Sequence, residues 1–422
     1  MEFQMCRQSS DIVCAFCDST RLAPIIDFGN VALAGAFLRR EDFATERLYP
    51  LRVQFCRDCF AVQVSDIVPP NVMFENYFYF SSSIGTLREH FQRYAAEIKK
   101  RFFPRGKGAV LEIGCNDGVL LRPLAEEGIE RVIGVDPARN VVATIADPRI
   151  TVINDYFTES VARKIVFERG KVDLVIANNV YAHIPNIQDA TRAVVEVLAE
   201  DGVFAFEVHY LGKVIDELQY DMIYHEHLYY YSLISLINHF RRYGMMIFDL
   251  EFIPIHAGSV RFYACKQSSK WGQSVSAAVK RLEREELEKG LNQYETFLSF
   301  SASVERHRTD LLTLLSGLRS AGHRVAGYGA SGRANTIIQY CGLGRQQLEF
   351  MVDDAPAKVG MYTPKSHLEI KPRSSLLEDD SPDYVLVFAW SFLKEIRERN
   401  CDYLKRGGKM IVPLPEVRVL SL

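Results

Sequence analysis

The sequence shows little excess of either charge: Lys and Arg number 50 against 53 Asp and Glu, a formal net of -3 over 422 residues. A protein that binds nucleic acid mainly by neutralising phosphates carries a surplus of bases, so that class is disfavoured. Long apolar runs are missing too. Uncharged, mostly apolar runs such as Tyr384 to Leu393 fall well short of the ~20 residues a bilayer helix needs. The start, Met1-Glu2-Phe3-Gln4-Met5-Cys6-Arg7, lacks the basic region and apolar core of a secretory signal. What is present is a globular balance of 48% hydrophobic and 24% charged residues, which excludes a largely disordered chain. At ~150 residues per domain the length predicts two to three domains. The expectation is a soluble, cytoplasmic protein that meets neither nucleic acid nor membrane. Oligomeric state is left open, a monomer being compatible.

Nine cysteines is an odd number, and with no secretory signal a disulfide framework is not expected. Four of them form Cys14-Ala-Phe-Cys17 and Cys56-Arg-Asp-Cys59, two knuckles of the same spacing with 38 residues between them. Such a pair delivers four thiolates to one tetrahedral zinc. Four cysteines close the shell and leave no position for water, so the predicted zinc is structural. Cys6 lacks the knuckle spacing, and Cys115, Cys265, Cys341 and Cys401 read as ordinary buried small residues.

Three blocks follow. Residues 1–70 read as short strands and turns around the knuckles, a small zinc-binding domain closed by Pro69-Pro70. Residues 71–265 open with an aromatic segment holding Tyr77 and Tyr79 and an amphipathic helix over Leu87–Phe102. Buried strands then alternate with helices at 109–114, 131–136, 172–177 and 202–208, the mark of a parallel sheet. Residues 266–422 begin with a polar helical stretch over Val275–Leu318 and repeat the strand-and-helix logic on a smaller scale. The fold class is α/β, with two Rossmann-like units behind the zinc-binding domain.

In the middle block Glu112-Ile113-Gly114-Cys115-Asn116-Asp117-Gly118 is a strand-end acid followed by two glycines. Glycines there let the backbone turn sharply and approach a ligand. Asp136 ends the next strand, where an acid accepts ribose hydroxyls. Asp155 and Tyr156 follow a further short strand and suit an adenine. This set resembles the S-adenosylmethionine (SAM) pocket of class I methyltransferases, which implies cofactor contacts from Glu112, Gly114, Asn116, Gly118, Asp136, Asp155, Tyr156, Asn178 and Asn179.

Reacting groups in such sheets gather beyond the carboxyl ends of strands. Asn178-Asn179-Val180-Tyr181-Ala182-His183 follows one strand, Glu207-Val208-His209-Tyr210 ends the next, and Tyr224-His225-Glu226-His227 comes soon after. In a strand or loop His225 and His227, two apart, share one face but lack the i, i+4 spacing of a helical zinc pair, so acid–base work is the preferred reading over metal binding.

The double knuckle, the SAM turn, Tyr224-His225-Glu226-His227, His256-Ala257-Gly258-Ser259-Val260-Arg261, and the later blocks 327–336 and 352–360 together resemble the three-domain sugar C-methyltransferases. That family acts on nucleotide-linked deoxysugars. The resemblance implies methylation at C-3 of a 4-keto-6-deoxy sugar nucleotide. His227 would be the base, with Glu226, His183, Tyr224, Tyr77 and Tyr79 orienting the sugar or its oxyanion. It further implies sugar-nucleotide contacts from His225, Ser259, Arg261, Gly329, Ser331, Arg333, Asn335 and Asp353. The chain departs from the family pattern at Arg333, where lysine is usual, at His209, where proline is usual, and at Pro364-Lys365, where the family has Pro-Gly.

Gly327-Tyr328-Gly329-Ala330-Ser331-Gly332 also fits G-x-G-x-x-G, with Asp353 lying 26 residues after Gly327. Backbone amides at a helix N-terminus suit a dinucleotide or a sugar diphosphate equally. An NAD-dependent oxidoreductase and a different small-molecule methyltransferase therefore stand as the alternatives.

Overall fold

The computed structural model describes residues 12–74, 80–83, 85–253 and 258–421. Tyr77, Tyr79 and His256 lie outside them.

The first sheet contains β1 (Leu22–Ala32), β2 (Leu48–Cys56) and β3 (Val62–Val64), all antiparallel. Along β2, Leu51, Val53 and Phe55 are buried and alternate with half-buried Arg52 and Gln54, so one face is apolar. That face meets the helix Tyr294–Ser320 from the far end of the chain: Phe55 packs on Phe297 with ring centroids 4.8 Å apart. The fourth strand of the sheet, Tyr229–Tyr230, is lent by the 71–265 block and pairs with β3 through Gln63 and Val62.

The middle sheet comprises β4 (Ala109–Ile113), β5 (Arg131–Val135), β6 (Ile150–Ile153), β7 (Val172–Asn178) and β8 (Leu198–His209). After β9 (Tyr229–Tyr230), which belongs to the first sheet, come β10 (Met245–Ile253) and β11 (Ser259–Lys266). Their order is β10-β11-β8-β7-β4-β5-β6, with β11 antiparallel to both its neighbours. Strands β4 and β7 are buried almost throughout, as a sheet covered on both faces requires. Strand order reverses at β4, so the ligand crevice of this sheet opens beyond the ends of β4 and β7.

The third sheet, β12 (Val325–Tyr328), β13 (Met351–Asp353), β14 (Ile370–Pro372), β15 (Tyr384–Val387), β16 (Lys409–Val412) and β17 (Arg418–Leu420), has the order β14-β13-β12-β15-β16-β17. Numbered from its own first strand this is the 3-2-1-4-5-6 order of a Rossmann sheet, with its switch point between β12 and β15. The helical stretch expected over Val275–Leu318 is two helices, Ala277–Glu288 and Tyr294–Ser320. They part at Gly290, whose φ of +71° ends the first in the left-handed region. Among the described residues no helix is long and apolar enough to cross a membrane.

Candidate active site

The two cysteine knuckles are built alike. Asp18 N donates to Cys14 O and Phe60 N to Cys56 O, each at 2.9 Å, and both donors sit at positive φ, 63° and 64°. Cys14 N and Cys56 N then donate to Ser19 O and Ala61 O. Two matching turns therefore present their sulfurs to one point, all four Sγ within 4.8 Å of one another. The Cys14–Cys59 and Cys17–Cys56 separations are 3.5 and 3.6 Å. Zinc–sulfur bonds of ~2.3 Å at tetrahedral angles put sulfurs ~3.8 Å apart, so the set fits a zinc ion. Cys401 is exposed, contrary to the expectation that it is buried, because it starts a surface helix; Cys115, Cys265 and Cys341 are buried.

At the end of β4, Gly114 has φ +68°, and a Cβ there would lie 2.7 Å from Val180 Cγ2. The turn passes through Asn116 at φ +50° and Gly118 at +76°. Asp136 closes on it from β5. Its carboxylate accepts Asn116 N at 2.9 Å and Ala138 N at 2.8 Å, one on each oxygen. Both oxygens are thereby aimed, with lone pairs left for hydroxyls. Glu112 Oε2 and Asp117 Oδ1 are buried and have no hydrogen-bond partner among the described residues. Burial, and then the charge of Asp136, hold the Glu112 carboxyl well above the usual range, and burial also raises Asp136. Three inward acids suit a cationic ligand that carries ribose hydroxyls, which SAM is. Asn178 ends β7 beside Glu112, and Asn179 stands at φ +54° with its N–H on Glu207 O. Asp155 and Tyr156 are exposed beyond β6.

Asp117, Ser81, Ser82 and Asn154 also build this turn, with no role assigned to them from the sequence. Asp117 accepts Ser82 N while Asn116 Oδ1 accepts Ser81 N, folding residues 81–82 over the glycine turn. Asn154 Nδ2 donates to Asp136 O, bracing the β5 end.

The histidine cluster assembles next to this turn. Leu228 N donates to Ala182 O at 2.9 Å, which sets the 224–231 segment alongside the short turn Tyr181–His183 that follows β7. The rings of His183 and His227 come to 5.2 Å, nearly parallel. Met222 O, an acceptor only, lies 2.8 Å from His227 Nδ1, so Nδ1 carries the proton. Nε2 then holds a lone pair and accepts the Tyr224 hydroxyl at 2.9 Å. Burial pushes the His183 imidazole down to about 4, keeping it neutral near pH 7. Glu226 is raised by burial, and its Oε1 faces Gly35, where a Cβ would lie at 3.5 Å. The segment 33–38 thus borders the cluster, a contribution with no sequence motif behind it.

His225 and Arg261, both expected substrate contacts, are directed elsewhere. His225 does not share a face with His227, because His227 N donates to Tyr224 O and closes a tight turn that splits the two side chains. His225 is buried against β2, its Nε2 donating to Pro50 O at 3.1 Å. Arg261 is 1% exposed. Its guanidinium is taken by Glu207 at 2.8 Å and Glu251 at 2.7 Å and lies over the Tyr94 ring, so it ties the helix Gly85–Phe102 to the sheet. Ser259 is buried on β11 opposite His209.

In the third sheet Gly329 has φ +91° and passes close to Ala389, and Ser331 caps the helix Gly332–Cys341 by accepting Ala334 N. Asp353, at the β13 end, accepts Ala355 N and lies 3.4 Å from Lys358 Nζ. Asn335 and Arg333 turn toward the other blocks. Asn335 Nδ2 donates to Ala34 O, and Arg333 Nε lies 2.8 Å from the buried carboxylate of Asp221.

Residues 14–74 match a zinc binding domain family, 87–248 a methyltransferase domain family, and 254–415 a family described as the C-methyltransferase C-terminal domain. Over 410 residues the chain is 34% identical to the C-methyltransferase NovU of Streptomyces niveus, covering 97% of this chain and 96% of that protein. The chain belongs to the C-methyltransferase family. Solved structures similar to it include a SAM-dependent methyltransferase from Clostridium acetobutylicum ATCC 824, at 14% identity and a TM-score of 0.33, covering 42% of this chain and 92% of that one. Another is the magnesium protoporphyrin IX methyltransferase of Synechocystis PCC 6803 with bound SAM, at 17% identity and a TM-score of 0.31, covering 42% and 79%. The methyl donor of this C-methyltransferase is SAM, its middle domain has the class I methyltransferase fold, and its N-terminal domain is the zinc-binding one.

Proposed function

We propose that this C-methyltransferase methylates C-3 of a nucleotide-linked 4-keto-6-deoxy sugar in the cytoplasm, with His227 as the base. In this reading residues 1–70 hold zinc, 71–265 bind SAM, and 266–422 bind the sugar nucleotide through Gly329, Ser331 and Asp353. Carbon becomes a nucleophile only after losing a proton made acidic by a neighbouring carbonyl, and a 4-keto group makes the C-3 proton so. Bound SAM supplies an electrophilic methyl whose sulfonium leaves as a neutral thioether. His227 takes the C-3 proton at Nε2, and the developing oxyanion at O-4 is met by donors among Tyr224, His183, Tyr77 and Tyr79. Glu226 orients the sugar.

The observation that carries this reading is the fixed tautomer of His227: Met222 O holds the proton on Nδ1 and leaves Nε2 basic, beside Tyr224. The test needs no methyl transfer. In heavy water, with dTDP- or GDP-linked 4-keto-6-deoxyhexose and the demethylated cofactor product, deuterium should wash into C-3. His227→Ala should lose exchange and turnover by ~10²–10⁴-fold while still binding SAM; His183→Ala should lose less. Normal exchange in His227→Ala would overturn the assignment. Calorimetry should show SAM, not NAD, binding the middle domain; NAD binding with ketone reduction would favour the oxidoreductase alternative.

A further inference from the structure

His227 is held at one end by a backbone carbonyl, so whatever fixes that carbonyl fixes the ring. Met222 ends a single 3-10 turn, Tyr220–Met222, too short to stiffen itself. The neighbours on either side of Met222 are both gripped by the same helix of the C-terminal unit, Gly332–Cys341. On one side, Arg333 sets Nε and a terminal nitrogen each 2.8 Å from Asp221 Oδ2. The indole of Trp390 donates to the same oxygen at 3.0 Å and lies under the guanidinium, 4.9 Å from it. On the other side, Thr336 Oγ1 donates to Ile223 O at 3.2 Å. Asp221 is fully buried, so its charge depends on these donors.

We infer that Arg333 and Thr336 of the C-terminal unit are positioning residues that fix the tautomer and orientation of His227 through Asp221, Met222 and Ile223. The inference rests on His227 being the base only for its kinetic consequence. It reassigns Arg333 from the sugar nucleotide to the catalytic segment. A guanidinium suits the task because its Nε–H binds the carboxylate, a terminal nitrogen brings its charge to the same oxygen, and its face lies on an indole.

The test follows His227 directly in the full-length zinc-loaded protein by ¹⁵N-histidine NMR, its signal assigned by loss in His227→Gln. The intact protein should show Nδ1 protonated. Arg333→Met and Thr336→Val should each move the ring toward a mixture of tautomers, Thr336→Val less, and Arg333→Lys should recover most of the original signal. With dTDP-4-keto-6-deoxyglucose as probe, kcat should fall by about 10–100-fold in Arg333→Met with KM within about twofold. An unchanged tautomer in both Arg333→Met and Thr336→Val would overturn the inference, as would a KM rise of tenfold or more at unchanged kcat, the mark of a substrate ligand. Thr336→Val removes one hydroxyl without changing volume, so it keeps the test decisive if Arg333→Met fails to fold. The tautomer readout needs neither sugar nor turnover, so it stands even if His227 proves not to be the base.

Discussion

The two doubly wound units carry glycine turns at the same place, after their first strands, yet their charge differs: acids alone ring the first, and a lysine paired with Asp353 stands at the second. The turn at Gly114–Gly118 is ringed by Glu112, Asp117 and Asp136 and leads into a six-residue helix, Leu121–Glu126, with no side-chain cap. The turn at Gly327–Gly332 leads into a ten-residue helix capped by Ser331, with Lys358 Nζ on Ala330 O at 2.5 Å. Buried acids and a weak helix terminus suit a sulfonium with a ribose; a capped helix N-terminus with a lysine suits a diphosphate. On the proposed reading one backbone device serves a cation and an anion, and the side chains around it choose.

The harshest way to break this comparison is to remove what the two turns share. Cys14→Ser should lose zinc, and because β1–β3 pack against elements of both units, SAM and sugar-nucleotide binding should fall together, with a lowered melting temperature by calorimetry. Retained zinc, or loss of only one ligand, would show that the turns do not lean on a common support. Next in size are paired lesions. Gly114→Ala meets Val180 and a φ of +68°, costing ~2–4 kcal/mol and SAM binding; Gly329→Ala should spare SAM and weaken the sugar nucleotide. Asp136→Ala should weaken SAM by on the order of 10²-fold or more through lost ribose hydrogen bonds, leaving sugar-nucleotide affinity unmoved in a titration. Ser331→Ala should cost ~1 kcal/mol of stability and act on the other ligand alone.

The subtlest contrast is in pH. Burial raises Glu112 and Asp136 in the free protein, so their contribution to stability is present in acid and is lost as pH rises through the raised values. A cationic ligand needs the carboxylates ionised. SAM affinity should therefore climb with pH from above ~4, and Asp136→Asn should flatten that climb. A flat profile in the unaltered protein would mean the acids are not sensed by the cofactor.

Features whose chemistry lies in short spacing were legible in the sequence: the knuckles, the glycine turns, the acids at strand ends. Directions of side chains in loops were not. Two residues apart predicts one face for His225 and His227 only if the segment is extended, and a tight turn sends them apart. Arg261 was expected to contact the sugar nucleotide because its partners, Glu207 and Glu251, sit 54 and 10 residues away on neighbouring strands and no spacing announces them. Asp221, Asn154 and the 33–38 segment carry no motif; their roles come from which strands and helices the topology brings together. Pairing of Tyr229–Tyr230 with β3 is of the same kind, since two residues have no period to read.

That last pairing has a consequence for synthesis. Both cysteine knuckles are complete once Cys59 has left the ribosome, so zinc can be taken up early. The sheet they anchor stays open until Tyr230 emerges to meet Val62, 168 residues later. At ~5–20 residues per second the wait is roughly 10–30 s. During it the nascent chain displays the edge of β3 with no partner. That strand is three residues long, too short a template for a neighbouring chain to extend. Its brevity lets the domain wait for its last strand on a crowded polysome.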